Sequence, residues 1–405
     1  MIRSLAHRKS NYHGFDMNPS ETEPSRHNVL DKLNTLNTLN TLNTLNKLNT
    51  PSPPYQLSRL GIVMRGEPNN PDEAMGVLNP AIARAPDGKL YLFARIVASG
   101  NYSRIGIAEV LFNAQGEPND VKRMGYVLEP SEPYERNEYT AGCEDPRITF
   151  VEPLGCYVMT YTAYGSLGPR IALATSKDLL SWQRIGPAKF AFMPKYRVDF
   201  DLYDNKDAYL FPRPVLDPHG KPALAMIHRP SNMQGRGNQM QILPEGVAEP
   251  RASMWISYCS LDLAQRDASA LLVWRDHCLL ATSAQAWELL KVGGGTPPIL
   301  TSRGWLTIYH GVSGRILENV DHQLKVRYSA GAMVLDVDDP RKILYRSTEP
   351  ILSPESDEER EGLVPNVVFP TGVDMRKDQH GEMGLDVYYG MADSCIGVAR
   401  MRLSV

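Results

Sequence analysis

The chain has 405 residues, of which 42% are hydrophobic, and its formal net charge at pH 7 is -3. This length and apolar content are sufficient to bury one large core or two ordinary ones, which excludes a disordered protein. Because the net charge is small, no global field exists to hold a polyanion, and nucleic-acid binding has no electrostatic support. Any anion-binding site must therefore be local.

The cysteines and the apolar runs predict the compartment. An odd number of cysteines without CxxC spacing argues against a disulfide framework and against structural zinc; they are Cys143, Cys156, Cys259, Cys278 and Cys395. No apolar run approaches the roughly 18 to 20 residues that span a membrane, and the basic start of the chain lacks the apolar stretch of a secretion signal. We therefore predict a cytoplasmic protein that does not contact a membrane.

The first 54 residues differ in composition from the rest. Residues 33 to 50 read LNTLNTLNTLNTLNKLNT, a period of three that matches neither the helical period of 3.6 nor the strand period of two. Such a repeat presents no continuous apolar face. With a polar stretch before it and three prolines after it, we predict that residues 1 to 54 form a disordered, low-complexity leader outside the fold.

From about residue 55 to residue 405 the sequence is a succession of short apolar runs rich in Val, Ile, Tyr and Phe, each bounded by turn-forming residues. Examples are residues 89 to 95, 155 to 161, 304 to 310 and 385 to 390. A meander of hairpins over about 350 residues is too long for a simple sandwich and favours a β-propeller, in which four-stranded sheets repeat around an axis. We predict an all-β protein of this architecture.

Two segments give further detail of the predicted propeller. Ser176, Asp178 and Trp182 suit the end of one repeat, because Ser and Asp favour a turn and Trp favours packing between blades. Residues 231 to about 285 begin with the polar SNMQGRGNQMQ and lack clean alternation at first. We interpret that segment as an insertion beside the central channel.

The densest cluster of reactive side chains lies at residues 141 to 147, AGCEDPR. Proline restricts the preceding residue to extended geometry, which predicts an extended Asp145. If the strand continues, Asp145 and Arg147 share one face and Glu144 lies on the other. The motif is a candidate acid site, although a surface turn with a structural Asp/Arg pair would look the same from these residues alone.

Four basic or hydrogen-bonding residues are each flanked by apolar sequence: Lys206, Arg229, Lys291 and His310. Directed into one pocket, they would hold a phosphate dianion, with Arg supplying a planar fork and Lys a point charge. Gly293, Gly294 and Gly295 could allow backbone amides to approach such an anion. No GxxxxGK[ST] motif is present, which disfavours a nucleotide, and the histidines lack HxxxH and HExxH spacing, so we predict neither a metal site nor a cofactor.

From about residue 58 onward the chain resembles glycoside hydrolase family 130, the β-mannoside phosphorylases and hydrolases, which include β-1,4-mannosyl-glucose phosphorylases. The resemblance rests on several motifs in the same order: GCEDPR at 142 to 147, KDAYLFP at 206 to 212, MIHRP at 226 to 230, GGGTPPI at 293 to 299, IYHG at 308 to 311, VPNVVFPTG at 364 to 372 and YYGMAD at 388 to 393. One departure is Lys206, where the family commonly has Arg.

The resemblance implies a five-bladed propeller with Asp145 as general acid, transferring its proton through a mannose hydroxyl. It also implies that residues such as Asn79, Arg95 and Asp393 hold the sugar, to which we add Arg147 from its predicted face. The basic set, Lys206, Arg229, Lys291 and His310, falls at motifs matching the phosphate set of the phosphorylase members. We therefore expect a β-mannoside oligosaccharide and inorganic phosphate as co-substrates, and inverting phosphorolysis that yields α-mannose 1-phosphate.

Two alternatives remain open from the sequence. A β-mannosidase would use water and need a second carboxylate as base, for which Glu288 and Asp199 are candidates. A non-catalytic sugar-binding propeller would instead stack Tyr91, Tyr161, Tyr309 and Tyr388 on pyranose rings, although core packing is the more common role of such residues. The sequence does not decide the acceptor sugar, the linkage or whether the chain forms a homo-oligomer.

Overall fold

The computed structural model describes residues 55–137, 142–231, 243–317, 324–377 and 383–403. The predicted leader, residues 1 to 54, lies outside this described part. Among the described residues, no helix has the length and apolar character needed to cross a membrane.

The described chain is almost entirely β-structure. The strands are β1 (Leu57–Arg65), β2 (Gly76–Arg84), β3 (Leu90–Ala98), β4 (Tyr102–Phe112), β5 (Pro118–Leu128), β6 (Gly142–Val151), β7 (Cys156–Gly165), β8 (Gly168–Ser176), β9 (Gln183–Pro187), β10 (Lys189–Phe190), β11 (Asp204–Leu210), β12 (Val215–Leu216), β13 (Pro222–Ser231), β14 (Met254–Ser260), β15 (Val273–Ala281), β16 (Lys291–Gly293), β17 (Ile299–Thr301), β18 (Gly304–Gly314), β19 (Val326–Leu335), β20 (Ile343–Arg346), β21 (Val368–Lys377), β22 (Met383–Met391) and β23 (Cys395–Arg402). Two short α-helices are described, α1 (Leu261–Arg266) and α2 (Asp357–Arg360). Single 3-10 turns lie at Pro71–Glu73, Pro133–Glu135, Glu152–Leu154, Phe200–Leu202, Ala268–Leu272 and Ala286–Glu288.

The strands form five blades whose four main strands are antiparallel, so the prediction of a five-bladed β-propeller is confirmed. Among the described strands, parallel pairing is confined to β10 beside β15 and to one residue pair between β4 and β6. Blade 1 is β2 to β5 and blade 2 is β6 to β9. Blade 3 is β11, β13, β14 and β15, extended by β10 and β12, and blade 4 is β16, β18, β19 and β20, with β17 beside β18. Blade 5 combines β21, β22 and β23 with the first strand, β1, which pairs along β23 from Leu57 opposite Met401 to Arg65 opposite Cys395. This pairing closes the ring by joining the first described strand to the last one.

Burial falls from the inner to the outer strand of a blade. Eight of the nine residues of β2 are buried, whereas the outer strand β5 exposes most of its residues. Inner strands are covered on both faces, which explains why they appear as continuous apolar runs rather than alternating ones. Trp182 packs edge-on against Phe93, with ring centroids 5.9 Å apart, and so contacts blade 1 from the end of blade 2 as predicted.

The segment interpreted as an insertion, residues 231 to about 285, contains two strands of blade 3. These are β14 and β15, and β14 pairs with β13 from Ala223 opposite Ser260 to His228 opposite Trp255. The insertion therefore does not extend as far as residue 285. Both faces of β14 are buried, so its residues do not alternate in polarity, and this removed the pattern by which a strand is recognised in sequence.

A buried glutamate clasp recurs in three blades. In blade 2, Glu135 accepts a hydrogen bond from the Tyr161 hydroxyl at 2.6 Å and from Arg184 at 2.8 Å. The side chain also caps its own turn by accepting from the amides of Ser131 and Glu132. Equivalent clasps are formed by Glu288, Tyr309 and Arg346 in blade 4 and by Glu359, Tyr389 and Arg59 in blade 5.

Each clasp joins the turn before a blade to the second and the outermost strand of that blade. The glutamates of all three clasps are fully buried, and every carboxylate has several donors, so the cost of burying its charge is offset by charge-assisted hydrogen bonds. In blade 1, Glu73 accepts from Arg123 at 2.9 Å in a related arrangement. The structure thus reveals a repeat that is weak in the sequence. Four blades are preceded by a short helical turn whose third residue is Glu, at residues 71–73, 133–135, 286–288 and 357–359.

We expect Tyr161→Phe to lower the free energy of unfolding by about 1 to 3 kcal/mol, because the buried Glu135 carboxylate loses one donor that water cannot replace. Tyr126→Phe is the matched control, since the Tyr126 hydroxyl also donates to a carboxylate, that of Asp72 at 2.7 Å, but at the surface. There we expect a loss below about 0.5 kcal/mol. Urea unfolding of the two variants tests the difference, and equal losses would contradict the clasp.

Candidate functional site

A cleft of about 520 Å³ is lined by residues from all five blades. Eight of the nine residues predicted from the sequence line it: Asn79, Arg95, Asp145, Lys206, Arg229, Lys291, His310 and Asp393. The ninth, Arg147, does not. The topology thus brings together side chains that are separated by more than 300 residues in the chain.

Three inner strands present their functional side chain in the same way. Asn79 in β2, Asp145 in β6 and Asp207 in β11 have positive φ angles of 47°, 46° and 58°. Each lies where the register with the next strand shifts, between Leu78 and Ala81, between Glu144 and Arg147, and between Lys206 and Tyr209. Such bulges re-aim a side chain out of the pleat, and Asn and Asp tolerate the left-handed region better than other residues. The bulges turn all three side chains toward the cleft.

The prediction of an extended Asp145 is therefore wrong. Proline at 146 disfavours the helical region for Asp145, but the bulge places this residue at φ 46° instead of in an extended strand. The strand does not run regularly from Glu144 to Arg147, so the expected sharing of faces fails as well. Glu144 and Asp145 both bond Arg95, at 2.9 and 3.2 Å.

Arg147 lies behind the cleft wall and supports it. Its side chain is 1% exposed and donates to the carbonyl oxygens of Asp145 at 2.8 Å, Gly295 at 3.1 Å and Gly294 at 3.3 Å. The guanidinium also lies 5.5 Å from the ring centre of Phe369. Arg147 thus fixes the backbone of Asp145 rather than reaching into the cleft, which corrects its assignment as a substrate-binding residue.

Asp145 is surrounded by donors. Its Oδ1 accepts from Asn79 Nδ2 at 2.8 Å and from Arg95, and its Oδ2 lies 3.5 Å from Lys206 Nζ. Burial favours the neutral acid, but the cations beside it, led by Arg95 and Lys206, outweigh burial and lower the pKa of Asp145 to about 2. This carboxyl group is therefore ionised at neutral pH.

Asp393 has the opposite character. It lies in the tight turn between β22 and β23 at φ 52°, and burial raises its pKa to about 6, although the charge of Arg95 opposes this. The negative charge of Asp145 also contributes to the raised pKa of Asp393. One wall of the cleft thus combines an ionised carboxylate with a carboxyl group that titrates close to neutral pH.

The opposite wall is basic and is organised around Asp207. Arg229 Nε donates to Asp207 Oδ2 at 2.6 Å, and His310 Nε2 lies 3.6 Å from the same oxygen. On the far side, Arg147 lies 4.0 Å from Asp207 Oδ1. Burial alone would raise the pKa of Asp207, but the neighbouring basic groups, Arg229 first, lower it far below its usual range. A single carboxylate therefore holds two buried guanidinium groups and lies beside a buried imidazole.

Lys291 and His310 flank an aromatic ring that the sequence analysis did not identify. Lys291 Nζ lies 5.1 Å from the centre of the Tyr328 ring, and the His310 ring stacks on Tyr328 at 6.0 Å. Burial, followed by the charge of Arg229, lowers the pKa of Lys291 to about 7. Burial also lowers the pKa of His310 to about 3, so this imidazole is neutral at pH 7 and lies 0% exposed. Neither His310 ring nitrogen has a hydrogen-bond partner among the described residues.

The three glycines at positions 293 to 295 allow close packing at the centre of the site. A Cβ on Gly293 would lie 2.7 Å from both Arg229 Nε and Asp207 Oδ2. Gly294 and Gly295 present their carbonyl oxygens to Arg147. Only glycine allows this backbone to approach the central ion pair so closely. The expectation that the amides of this run face an anion stays a prediction.

The carboxylates considered for the water-using alternative lie elsewhere. Glu288 is 0% exposed and belongs to the clasp of blade 4. The Asp199 side chain accepts from the backbone amide of Asp201 in the turn before β11. Neither residue lines the cleft.

The tyrosines proposed for sugar stacking are buried in the fold. Tyr161 and Tyr309 donate to clasp glutamates, and Tyr91 and Tyr388 are 5% and 0% exposed. None of the four lines the cleft, whereas Tyr328 and Phe369 do. Tyr328 differs from the four predicted tyrosines in its position on β19, directly beside Lys291 and His310. Only the pairing of the strands reveals this position.

The chemistry open to this cleft follows from its two walls. A carboxyl group at Asp145 can exchange a proton with a bound ligand, and the wall of Lys206, Arg229 and Lys291 attracts an anion. Within the described ranges, no three His, Cys, Asp or Glu side chains are grouped to hold a metal ion.

Comparison with known proteins connects this geometry to a family. The profile of glycoside hydrolase family 130, described as β-1,4-mannooligosaccharide phosphorylase, matches residues 55–404. A 1,2-β-oligomannan phosphorylase of Thermoanaerobacter sp. is 33% identical over 356 residues, which covers 84% of this chain and 95% of the relative. A β-1,4-mannooligosaccharide phosphorylase of Ruminococcus albus is 31% identical over 290 residues, 71% of each chain.

A solved structure has the same fold. The β-1,2-mannobiose phosphorylase from Listeria innocua, in complex with β-1,2-mannobiose, superposes with a TM-score of 0.61 at 23% identity. The superposition covers 86% of this chain and 97% of that protein.

The left-handed backbone at Asp145 predicts a difference between two substitutions. We expect Asp145→Ala to be less stable than Asp145→Asn by about 1 kcal/mol, because Asn tolerates positive φ and Ala does not. Asp262, which is exposed in the first turn of α1, provides the control: there Ala is the better helix former, and the order should reverse. Thermal or urea unfolding measures both pairs. Equal stability of the two Asp145 variants would argue against the strained bulge.

Proposed function

The chain belongs to glycoside hydrolase family 130, and from this premise we propose that it cleaves a β-mannoside with inorganic phosphate. The reaction inverts the anomeric carbon and releases α-mannose 1-phosphate and a shortened sugar. The observation that carries this proposal is the meeting of Asp145 with four basic or hydrogen-bonding side chains in one cleft. The names of the relatives, all phosphorylases of β-mannosides, support the same reaction class.

The basic wall would bind phosphate. Arg229 offers a planar fork, Lys291 a point charge, and neutral His310 one N–H donor, all within reach of the region in front of Asp207. Phosphate is already an anionic nucleophile, so it needs positioning rather than a base. The cations would also offset the charge that shifts during attack on the anomeric carbon.

Asn79, Arg95, Asp145 and Asp393 form the opposite wall, where we propose that the mannosyl unit binds. During the reaction a bond forms between the anomeric carbon and a phosphate oxygen while the glycosidic bond breaks. The leaving oxygen then takes up the proton supplied by Asp145, directly or through a mannose hydroxyl. No second carboxylate is required, in contrast to an inverting hydrolase.

Asp145 must carry a proton in the reactive complex, although the cations beside it lower its pKa to about 2. Lys206 links phosphate binding to the protonation of Asp145, because its ammonium lies 3.5 Å from the Asp145 carboxylate and belongs to the proposed phosphate set. A phosphate dianion near Lys206 adds negative charge beside Asp145, and nearby negative charge raises the pKa of a carboxyl group. Phosphate binding would therefore favour the protonated acid.

The deciding experiment is phosphate dependence. We expect purified protein to release sugar from β-1,2- or β-1,4-linked mannooligosaccharides only when phosphate is added, with α-mannose 1-phosphate as the product. In reverse, α-mannose 1-phosphate and an acceptor sugar should yield phosphate and a new β-mannoside. Asp145→Asn should lower the rate by about 10²-fold or more, because the proton donor is lost. Cleavage that proceeds equally without phosphate would indicate a hydrolase.

Anion binding should weaken above pH 7, because a bound anion requires protonated Lys291 and burial lowers the pKa of this group to about 7. Sulfate is a suitable probe, since it stays a dianion over this range. From pH 7.5 to 9 we expect its affinity, measured by calorimetry, to fall toward about tenfold per pH unit, the limit for linkage to one proton.

Lys291→Met should bind sulfate more weakly and remove this slope, whereas Lys122→Met, at an exposed position of β5, should leave it unchanged. An unchanged slope in Lys291→Met would assign the titration to another group.

We propose further that the protein acts in the cytoplasm, as the cysteine pattern predicts. All five thiols are unpaired, and four of them are buried in the blades. Phosphate enters as a co-substrate, and the proposed chemistry involves no cofactor.

A further inference from the structure

A chain of buried hydrogen bonds crosses blade 3 from its inner strand to its outer edge. Asn205 on β11 bonds His228 Nδ1 on β13 at 3.0 Å, and His228 Nε2 lies 2.7 Å from the Ser257 hydroxyl on β14. Ser257 in turn lies 2.8 Å from His277 Nδ1 on β15, and His277 Nε2 lies 2.9 Å from the carbonyl oxygen of Ala191, just after β10. We call these residues the histidine chain.

When both imidazoles are neutral, the carbonyl group at the end fixes the direction of every bond. A carbonyl oxygen only accepts, so His277 carries its proton on Nε2, and its Nδ1 accepts from the Ser257 hydroxyl. Ser257 must then accept from His228 Nε2, which leaves His228 Nδ1 to accept from the Asn205 amide group. This arrangement satisfies every member only when both imidazoles are neutral.

The surroundings keep the imidazoles neutral. His228 and His277 are both 0% exposed and pack against Phe190 and Phe200. Burial lowers the pKa of each histidine, that of His228 most strongly. Blade 3 is thus held together by the neutral histidine chain, whereas blades 2, 4 and 5 each have a charged glutamate clasp.

The histidine chain is attached to the strands that carry the basic wall. Lys206 follows Asn205 on β11, Arg229 follows His228 on β13, and Lys206 lies directly opposite Arg229 in the strand register. Neighbouring residues on a strand point to opposite faces. Lys206 and Arg229 line the cleft, whereas Asn205 and His228 bond each other on the opposite face of their strands. Two like charges opposite each other repel, and the bond behind them holds the strands together against that repulsion.

We propose that His228, Ser257 and His277 are positioning residues for phosphate, because the histidine chain holds β11 and β13 in the register that directs Lys206 and Arg229 at the same anion. The inference rests on the proposed phosphorolysis. It extends the phosphate site from the residues that line the cleft to a buried polar chain that never touches the ligand.

The test is Ser257→Ala, which breaks the chain in the middle without adding bulk or charge. We expect the KM for phosphate and the Kd for phosphate from calorimetry to rise about tenfold. The KM for the mannoside and kcat at saturating phosphate should change less than about twofold. Ser257→Thr keeps the hydroxyl and should recover most of the phosphate affinity.

Tyr389→Phe is the control, because it removes one buried hydrogen bond of the blade 5 clasp, and blade 5 carries none of the four residues Lys206, Arg229, Lys291 and His310. We expect both variants to lose stability, but only Ser257→Ala to lose phosphate affinity. Equal phosphate affinity in wild type and Ser257→Ala would overturn the inference while leaving the proposed function intact. A wild-type protein that neither binds nor requires phosphate would overturn both.

Discussion

The ion pair between Asp207 and Arg229 is the interaction on which the cleft depends. The Asp207 carboxylate is buried, and Arg229, His310 and Arg147 all approach it within 4.0 Å. A buried cation without a partner costs several kcal/mol, so without this carboxylate the basic wall could not be assembled inside the protein. Asp207 neutralises part of the charge but not all of it, because Lys206 and Lys291 also face the cleft. The remaining positive charge is what makes the wall attractive to a dianion.

The fold supplies the precision that such a site requires. Asn79, Asp145 and Asp207 project from bulges in three inner strands that are paired and buried, and Arg147 bonds the backbone at the most important of these bulges. Side chains fixed on rigid strands keep their geometry better than side chains on loops. Positive φ angles at these positions are stabilised by the surrounding sheet, consistent with the tendency of backbone strain to concentrate at functional sites.

Blade 3 differs from its neighbours in how it is held together. Blades 2, 4 and 5 use a buried glutamate with a tyrosine and an arginine, all charge-assisted, whereas blade 3 uses neutral histidines, a serine and an asparagine. This blade also carries Lys206, Asp207 and Arg229. A neutral chain fixes the strands without placing another strong charge behind the basic wall, where it would alter the field felt by a bound anion.

The sequence by itself determined the β-rich architecture, the motifs and the residue types of the cleft, because turn residues, apolar runs and functional side chains are local features. It did not reveal the bulge at Asp145, the supporting position of Arg147, the strands β14 and β15 within the supposed insertion, or the contribution of Tyr328. Those features depend on which strands pair and in what register. Only the tertiary structure decided them, since register shifts and close approaches between blades arise from packing among residues far apart in the chain.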